Sequence, residues 1–150
     1  MLVQRTLSNP IKAFGVGLHS GKPITMKLLP AAPDTGIIFR RVDLDPVVEI
    51  KASAENVGDT TMSTCLTWKD IRISTVEHLM SALYALKVNN ALIKIDSPEI
   101  PILHGSARQY VDAILKVGIK EQSEKIEFLK LNKPLNYTDA DSGSEILYIP

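Results

Sequence analysis

Two stretches with the apolar spacing of amphipathic helices, separated by one short strand and preceded by a run of strand-patterned segments, limit this chain to a few layered folds. In the first stretch Val76, Leu79, Met80, Leu83 and Leu86 recur at helical spacing. Ser74 and Glu77 stand three apart, the spacing of a capping box, and Asn89-Asn90 marks a stop. The second stretch opens at Ser106-Ala-Arg-Gln109, again a capping-box pattern. Its stripe is Ala107, Tyr110, Val111, Ile114 and Leu115, and Gly118 sits where a terminating glycine belongs. Between the helices Ala91-Leu-Ile-Lys-Ile-Asp96 predicts a strand, and Pro98-Glu-Ile-Pro101 an extended segment or turn.

Ahead of the helices, Leu2 to Leu7, Ile11 to Leu18, Ile24 to Leu29 and Ile37 to Val42 predict strands, with Val47 to Lys51 and Thr64 to Trp68 as weaker ones. Pro30-Ala-Ala-Pro-Asp-Thr-Gly36 has turn chemistry. Strands followed by two helices with a strand between them predict an α+β fold: a two-layer sandwich of a mostly antiparallel sheet with two helices on one face. Lys120 to Lys125 is polar and reads as a linker. Beyond it Ile126 to Leu131 and Ile146 to Ile149 read as the first strands of a second, similar domain. The expected division is therefore 1-124 and 125-150, with the second domain cut short at Pro150.

Composition removes several functions. Seventeen basic and seventeen acidic residues cancel, and no basic stripe suggests nucleic acid. No apolar run approaches the length of a transmembrane helix. Met1 to Thr6 lacks the apolar region of a signal peptide, and the lone Cys65 has no partner for an internal disulfide, so the cytoplasm is the expected compartment.

The chain has three histidines, His19, His78 and His104. The densest chemical spot is Glu77-His78 in the first turn of the first helix. A zinc ligand beside a carboxylate is the pairing that activates water for attack on an amide. A helix N-terminus favours the negative charge that then develops. The same two residues also suit a plain helix start, with Glu77 capping back toward Ser74 and His78 a half-buried flank residue. Gly15-Val-Gly-Leu-His-Ser-Gly21 allows close ligand approach, but it matches neither the dinucleotide nor the phosphate-loop fingerprint. A simple hairpin bend explains it equally well. Cys65 reads as a buried structural cysteine, and His104-Gly105-Ser106 as a loop leading into a cap.

Five segments occur together: Gln4-Arg-Thr-Leu7, Gly15 to Gly21, Arg40-Arg41, Ile73-Ser-Thr-Val-Glu-His-Leu79, and Pro98-Glu-Ile-Pro-Ile102 with Gly105-Ser-Ala107. In order and spacing they resemble the UDP-3-O-acyl-N-acetylglucosamine deacetylase family, zinc enzymes of lipid A biosynthesis in Gram-negative bacteria. The resemblance covers essentially the whole chain. It implies two domains, each a sheet packed on two helices, with the active site at their junction. It makes Glu77 the general base and His78 a zinc ligand, puts His19 near the site, and has Met62 and Ser63 line the cleft for UDP-3-O-acyl-N-acetylglucosamine.

Two departures stand out. The family's remaining zinc ligands come from a His-x-x-x-Asp helix in the second domain, and its general acid from a later histidine. This sequence contains neither. His104 also stands where the family has aspartate before Gly-Ser. The expectation is the N-terminal part of a deacetylase, inactive by itself and packing on its own second domain. The alternative is a catalytically incompetent fragment, or a non-catalytic module that binds a nucleotide-sugar or a partner.

Overall fold

The computed structural model describes residues 2–150. A five-stranded sheet forms its centre. Its strands are β2 (Ile11–Val16), β3 (Pro23–Pro30), β4 (Ile37–Arg41), β5 (Val48–Lys51) and β8 (Ala91–Ile95), in the order β2-β3-β8-β4-β5. All neighbours are antiparallel except β4 and β8, which run parallel.

Register explains which face is buried. Met26 lies opposite Ile95, Leu28 opposite Ile93, and Phe39 opposite both Ile93 and Ile50. Side chains alternate across a strand, so these residues share one face, and all of them are essentially fully buried. The other face carries Lys12, Lys27, Lys94, Arg40, Glu49 and Lys51 around half-buried Leu29, Ile38 and Leu92. Helix α1 (Glu77–Ala85) adds Leu79, Ala82 and Leu83 to the core, and α2 (Arg108–Val117) adds Tyr110 and Ile114. Both helices thus cover the apolar face, and the fold is the expected α+β sandwich.

Three smaller pieces surround it. Strand β1 (Val3–Leu7) pairs antiparallel with β9 (Ile119–Lys125), β6 (Leu66–Trp68) with β7 (Ile71–Ile73), and β10 (Leu135–Thr138) with β11 (Glu145–Tyr148). The β9 strand corrects the linker expected over Lys120 to Lys125. It is polar along most of its length, so no apolar alternation reveals it. Main-chain pairing with β1 holds it, together with Gln122, which donates to the Ala31 carbonyl at 2.9 Å and accepts from Asn90 at 2.8 Å. Conversely, Ile126 to Leu131 is not a strand, although the Ile126 N–H donates to the Leu2 carbonyl.

Neither capping box forms as the spacing suggested. Helix α1 begins at Glu77 with Val76 as its cap residue and no side-chain cap. Ser74 instead donates from its hydroxyl and its N–H to the Pro98 carbonyl, which makes it the end of an extended segment. In α2 the Ser106 hydroxyl accepts from the Arg108 N–H, and Gln109 reaches back to His104 rather than to Ser106. Leu115, expected on the apolar stripe, is 57% exposed. Gly118 does end α2, at φ 85° and ψ 163°, a conformation essentially reserved for glycine.

No helix among the described residues is long and apolar enough to cross a membrane. Exposed apolar side chains gather at two places. Exposed Leu2, Tyr84 and Phe128, with half-buried Ile126 and buried Val88, line a cavity of about 410 Å³ beside the end of α1. Leu135, Tyr137, Ile146, Leu147 and Tyr148 project from the β10–β11 hairpin.

Candidate active site at the start of the first helix

The segment Ser74-Thr-Val-Glu-His78 turns sharply from strand to helix. Ser74 is held in extended form by a parallel bridge to Glu99. Thr75 then takes φ 61°, a left-handed value that is costly for a β-branched residue. Val76 returns to the right-handed region, and Glu77 opens the helix. The reversal sets the direction in which Glu77 and His78 leave the sheet.

Thr64 fixes Glu77 from the other side. Its N–H donates to Glu77 Oε1, and its carbonyl accepts from the Val76 N–H at 3.5 Å. Among the described residues, that leaves Glu77 Oε2 buried with no hydrogen-bond partner. His78 Nδ1 is likewise buried and unpartnered. Buried polar atoms are normally satisfied, so two unpartnered ones on adjacent residues are unusual. A carboxylate oxygen and a ring nitrogen, both unengaged, fit the expected base and one ligand of a zinc ion. Among the described residues no group of three or more His, Cys, Asp or Glu side chains comes together to hold a metal.

Glu77 lines a cavity of about 290 Å³ whose walls include Ser53, Thr64, Leu66, Val76 and Met80. Met62 and Ser63 precede Thr64 directly. Met62 is 84% exposed at φ 64°, and the half-buried Ser63 hydroxyl lies 3.7 Å from Cys65 Sγ. Cys65 is buried and free, as expected. His19 lines a separate cavity of about 360 Å³ with Ser20, Arg72, Ser74, Pro98 and Glu99. The two cavities flank the same turn: Ser74 belongs to one, Val76 and Glu77 to the other. His19 thus reaches the Glu77 segment through intervening residues rather than by contact.

Three residues that build this site were outside the set expected from sequence: Thr64, Thr75 and Glu99. Glu99 is 3% exposed and accepts from the His19 N–H at 2.8 Å, the Ser20 N–H at 3.0 Å and the Thr75 hydroxyl at 3.5 Å. Burial pushes its pKa up. The bonds from His19 and Ser20 and the charge of His19 outweigh that, and the net shift is downward. Asp43 is also lowered, chiefly by its hydrogen bonds to Arg41, whose guanidinium grips both carboxylate oxygens at 2.8 and 2.7 Å and donates to the Arg72 carbonyl at 3.0 Å.

Both carboxylates are held below their ordinary values of 4.5 for Glu99 and 3.8 for Asp43. A carboxylate depressed in the fold stabilises it fully above the ordinary value and loses that contribution as pH falls toward the folded value. Urea midpoints followed from neutral pH downward are expected to hold level and then fall below about pH 4.5. In a Glu99→Gln chain that acid-side fall should become shallower. A wild-type midpoint that rises on acidification would contradict these shifts.

The model of the family described as LpxC, UDP-3-O-acyl N-acetylglycosamine deacetylase, matches residues 4–150. Curated proteins named UDP-3-O-acyl-N-acetylglucosamine deacetylase are similar over the same span. That of Cellvibrio japonicus (strain Ueda107) is 57% identical over 141 residues, 94% of this chain and 46% of that protein. That of Saccharophagus degradans is 50% identical over 147 residues, 98% of this chain and 48% of that protein. That of Coxiella burnetii (strain Dugway 5J108-111) is 50% identical over 143 residues, 95% of this chain and 47% of that protein. The chain spans about half the length of these relatives.

Proposed function

The chain belongs to the UDP-3-O-acyl-N-acetylglucosamine deacetylase family, and from that premise we propose that it is the N-terminal part of a zinc-dependent amidohydrolase. The reaction is removal of the N-acetyl group from UDP-3-O-acyl-N-acetylglucosamine, an early step of lipid A biosynthesis, carried out in the cytoplasm of a Gram-negative bacterium. The observation that carries the reading is the pair of buried, unengaged atoms at the start of α1, Glu77 Oε2 and His78 Nδ1.

Each residue has a role in this reading. His78 holds one coordination position of the metal. A bound zinc ion supplies Lewis acidity toward water and the amide carbonyl. Glu77 Oε2 takes the proton from the attacking water, while the Thr64 N–H on Oε1 keeps the carboxylate turned toward the site. A general acid from the second half would protonate the departing amine, and Glu77 would pass the proton it took from water to solvent before the next turnover. The first helical turn contributes its N-terminal dipole to the negative charge that develops on the amide oxygen. Met62 and Ser63 border the entrance, and His19 contributes to substrate binding from the glycine-rich turn.

Residues 1-124 form the first domain and 125-150 the beginning of the second, which supplies the other zinc ligands. Exposed apolar side chains at Leu2 and Tyr84 of the first part, and at Phe128, Leu135, Tyr137 and Ile146 of the second, support that arrangement, because bare apolar area of this kind suits a packed neighbour.

Zinc titration of the 150-residue chain under chelator competition tests the division of ligands. With His78 as the sole contributor, binding should be weak and without a defined stoichiometry. A tight one-to-one site, abolished by His78→Ala, would mean that the ligands come from within these residues and would overturn the half-site reading. A non-catalytic nucleotide-sugar module predicts instead that UDP-sugar binds this chain tightly without zinc.

A further inference from the structure

Among the described residues, Glu99 is the one buried carboxylate, and its bonds run to two different parts of the site. It sits on the segment after β8, between Pro98 and Pro101, where the Ser74 N–H bonds the Pro98 carbonyl at 2.9 Å and the Ile100 N–H bonds the Ser74 carbonyl at 3.0 Å. Its two oxygens face the turn between β2 and β3. Oε1 takes the His19 N–H and Oε2 the Ser20 N–H, at 2.8 and 3.0 Å. Oε1 also receives the Thr75 hydroxyl at 3.5 Å. Among the described residues no lysine or arginine forms a salt bridge with it.

Gly17 shows how closely the turn is fitted to this carboxylate. A Cβ built on Gly17 would collide with Glu99 Oε2 and with the Ser20 hydroxyl. The glycine-rich turn is therefore shaped to approach Glu99, and the bend is held by a side chain from elsewhere in the chain. Main-chain bonds within the turn are few: Gly17 N–H to the Lys22 carbonyl and Gly21 N–H to the Gly17 carbonyl, each 3.0 Å.

We infer that Glu99 is a positioning residue, fixing the main chain of His19 to the left-handed Thr75 turn so that the glycine-rich turn and the Glu77 helix start keep one relative geometry. The inference rests on the deacetylase reading. Its chemistry is simple. An ionised carboxylate accepting two main-chain N–H groups makes charge-assisted bonds, which are stronger than neutral ones. Glutamine in its place offers one carbonyl oxygen and turns an N–H₂ toward an N–H, so one of the two grips is lost. His19 then wanders at the cavity it lines, while Glu77 and His78 keep their own supports from Thr64 and the helix.

The test uses the complete deacetylase that carries this chain, with Glu99→Gln, His19→Ala and the double variant. Glu99→Gln should raise KM for UDP-3-O-acyl-N-acetylglucosamine by about tenfold, the scale of one lost charge-assisted hydrogen bond, with kcat and zinc content little changed. In the His19→Ala background the same substitution should have less than about a twofold effect, because residues acting as one unit are non-additive. Amide exchange at His19 and Ser20 should accelerate in Glu99→Gln. Should Glu99→Gln fail to fold, Gly17→Ala displaces the carboxylate sterically and should give the same rise in KM. Additive effects on KM, an equal loss of kcat, or unchanged exchange at His19 and Ser20 would overturn the inference while the deacetylase reading stands. A zinc-loaded wild type that releases no acetate would overturn both.

Discussion

Replacing Glu77 by glutamine in the complete deacetylase is expected to lower kcat by roughly a hundredfold to ten-thousandfold, the usual cost of losing a general base. Zinc content should stay that of the wild type. The substitution keeps the shape of the side chain, and its amide oxygen still accepts from the Thr64 N–H. What disappears is the capacity of the second oxygen, now unengaged, to take a proton. Stability should change little or rise slightly, because an amide is cheaper to bury than an unpaired carboxylate. The helix-cap explanation makes the opposite forecast: glutamine also serves in a capping box, so activity would be preserved. The structure has already weakened that explanation, since Glu77 stands at the first helical position and bonds Thr64 rather than Ser74.

His78→Ala should fail in a different way. A catalytic zinc site has few protein ligands, so losing one should lower zinc affinity by roughly a hundredfold or more. Turnover should fall with metal content and recover in part when zinc is added in excess. The fold should survive, because the His78 ring is only partly buried and its Nδ1 bonds nothing within these residues. Equilibrium dialysis against buffered zinc measures the affinity directly. A His78→Ala protein that retains wild-type zinc affinity would remove His78 from the ligand set.

The central layer was legible because its signals are local and repetitive. Met26, Leu28, Phe39, Ile93 and Ile95 alternate with less buried neighbours, and Leu79, Leu83, Tyr110 and Ile114 recur at helical spacing, so strand and helix announce themselves. The polar β9 carries no such signal: only its pairing with β1, more than a hundred residues away, makes it a strand. The helix starts escape the sequence for a related reason. Ser74 and Glu77 have capping-box spacing, but Ser74 is claimed by Pro98 and Glu77 by Thr64, both distant partners that outcompete the local bond.

The site divides along the same line. Glu77 and His78 could be picked out as adjacent chemical groups with helix-start geometry. The support around them could not. Glu99 sits as a lone acid between prolines, with nothing nearby to suggest that His19 and Ser20, some eighty positions earlier, would bond it. Nor does Thr75 advertise a left-handed backbone, since β-branched residues avoid that region.

Zinc content and acetate release, measured together on one preparation each of wild type, Glu77→Gln and His78→Ala in the complete protein, test the assignment of base and ligand most directly. The expected outcome is a wild type that holds zinc and releases acetate from UDP-3-O-acyl-N-acetylglucosamine, a Glu77→Gln protein that holds zinc and releases almost none, and a His78→Ala protein depleted of zinc. A Glu77→Gln protein with full zinc and full acetate release would contradict it.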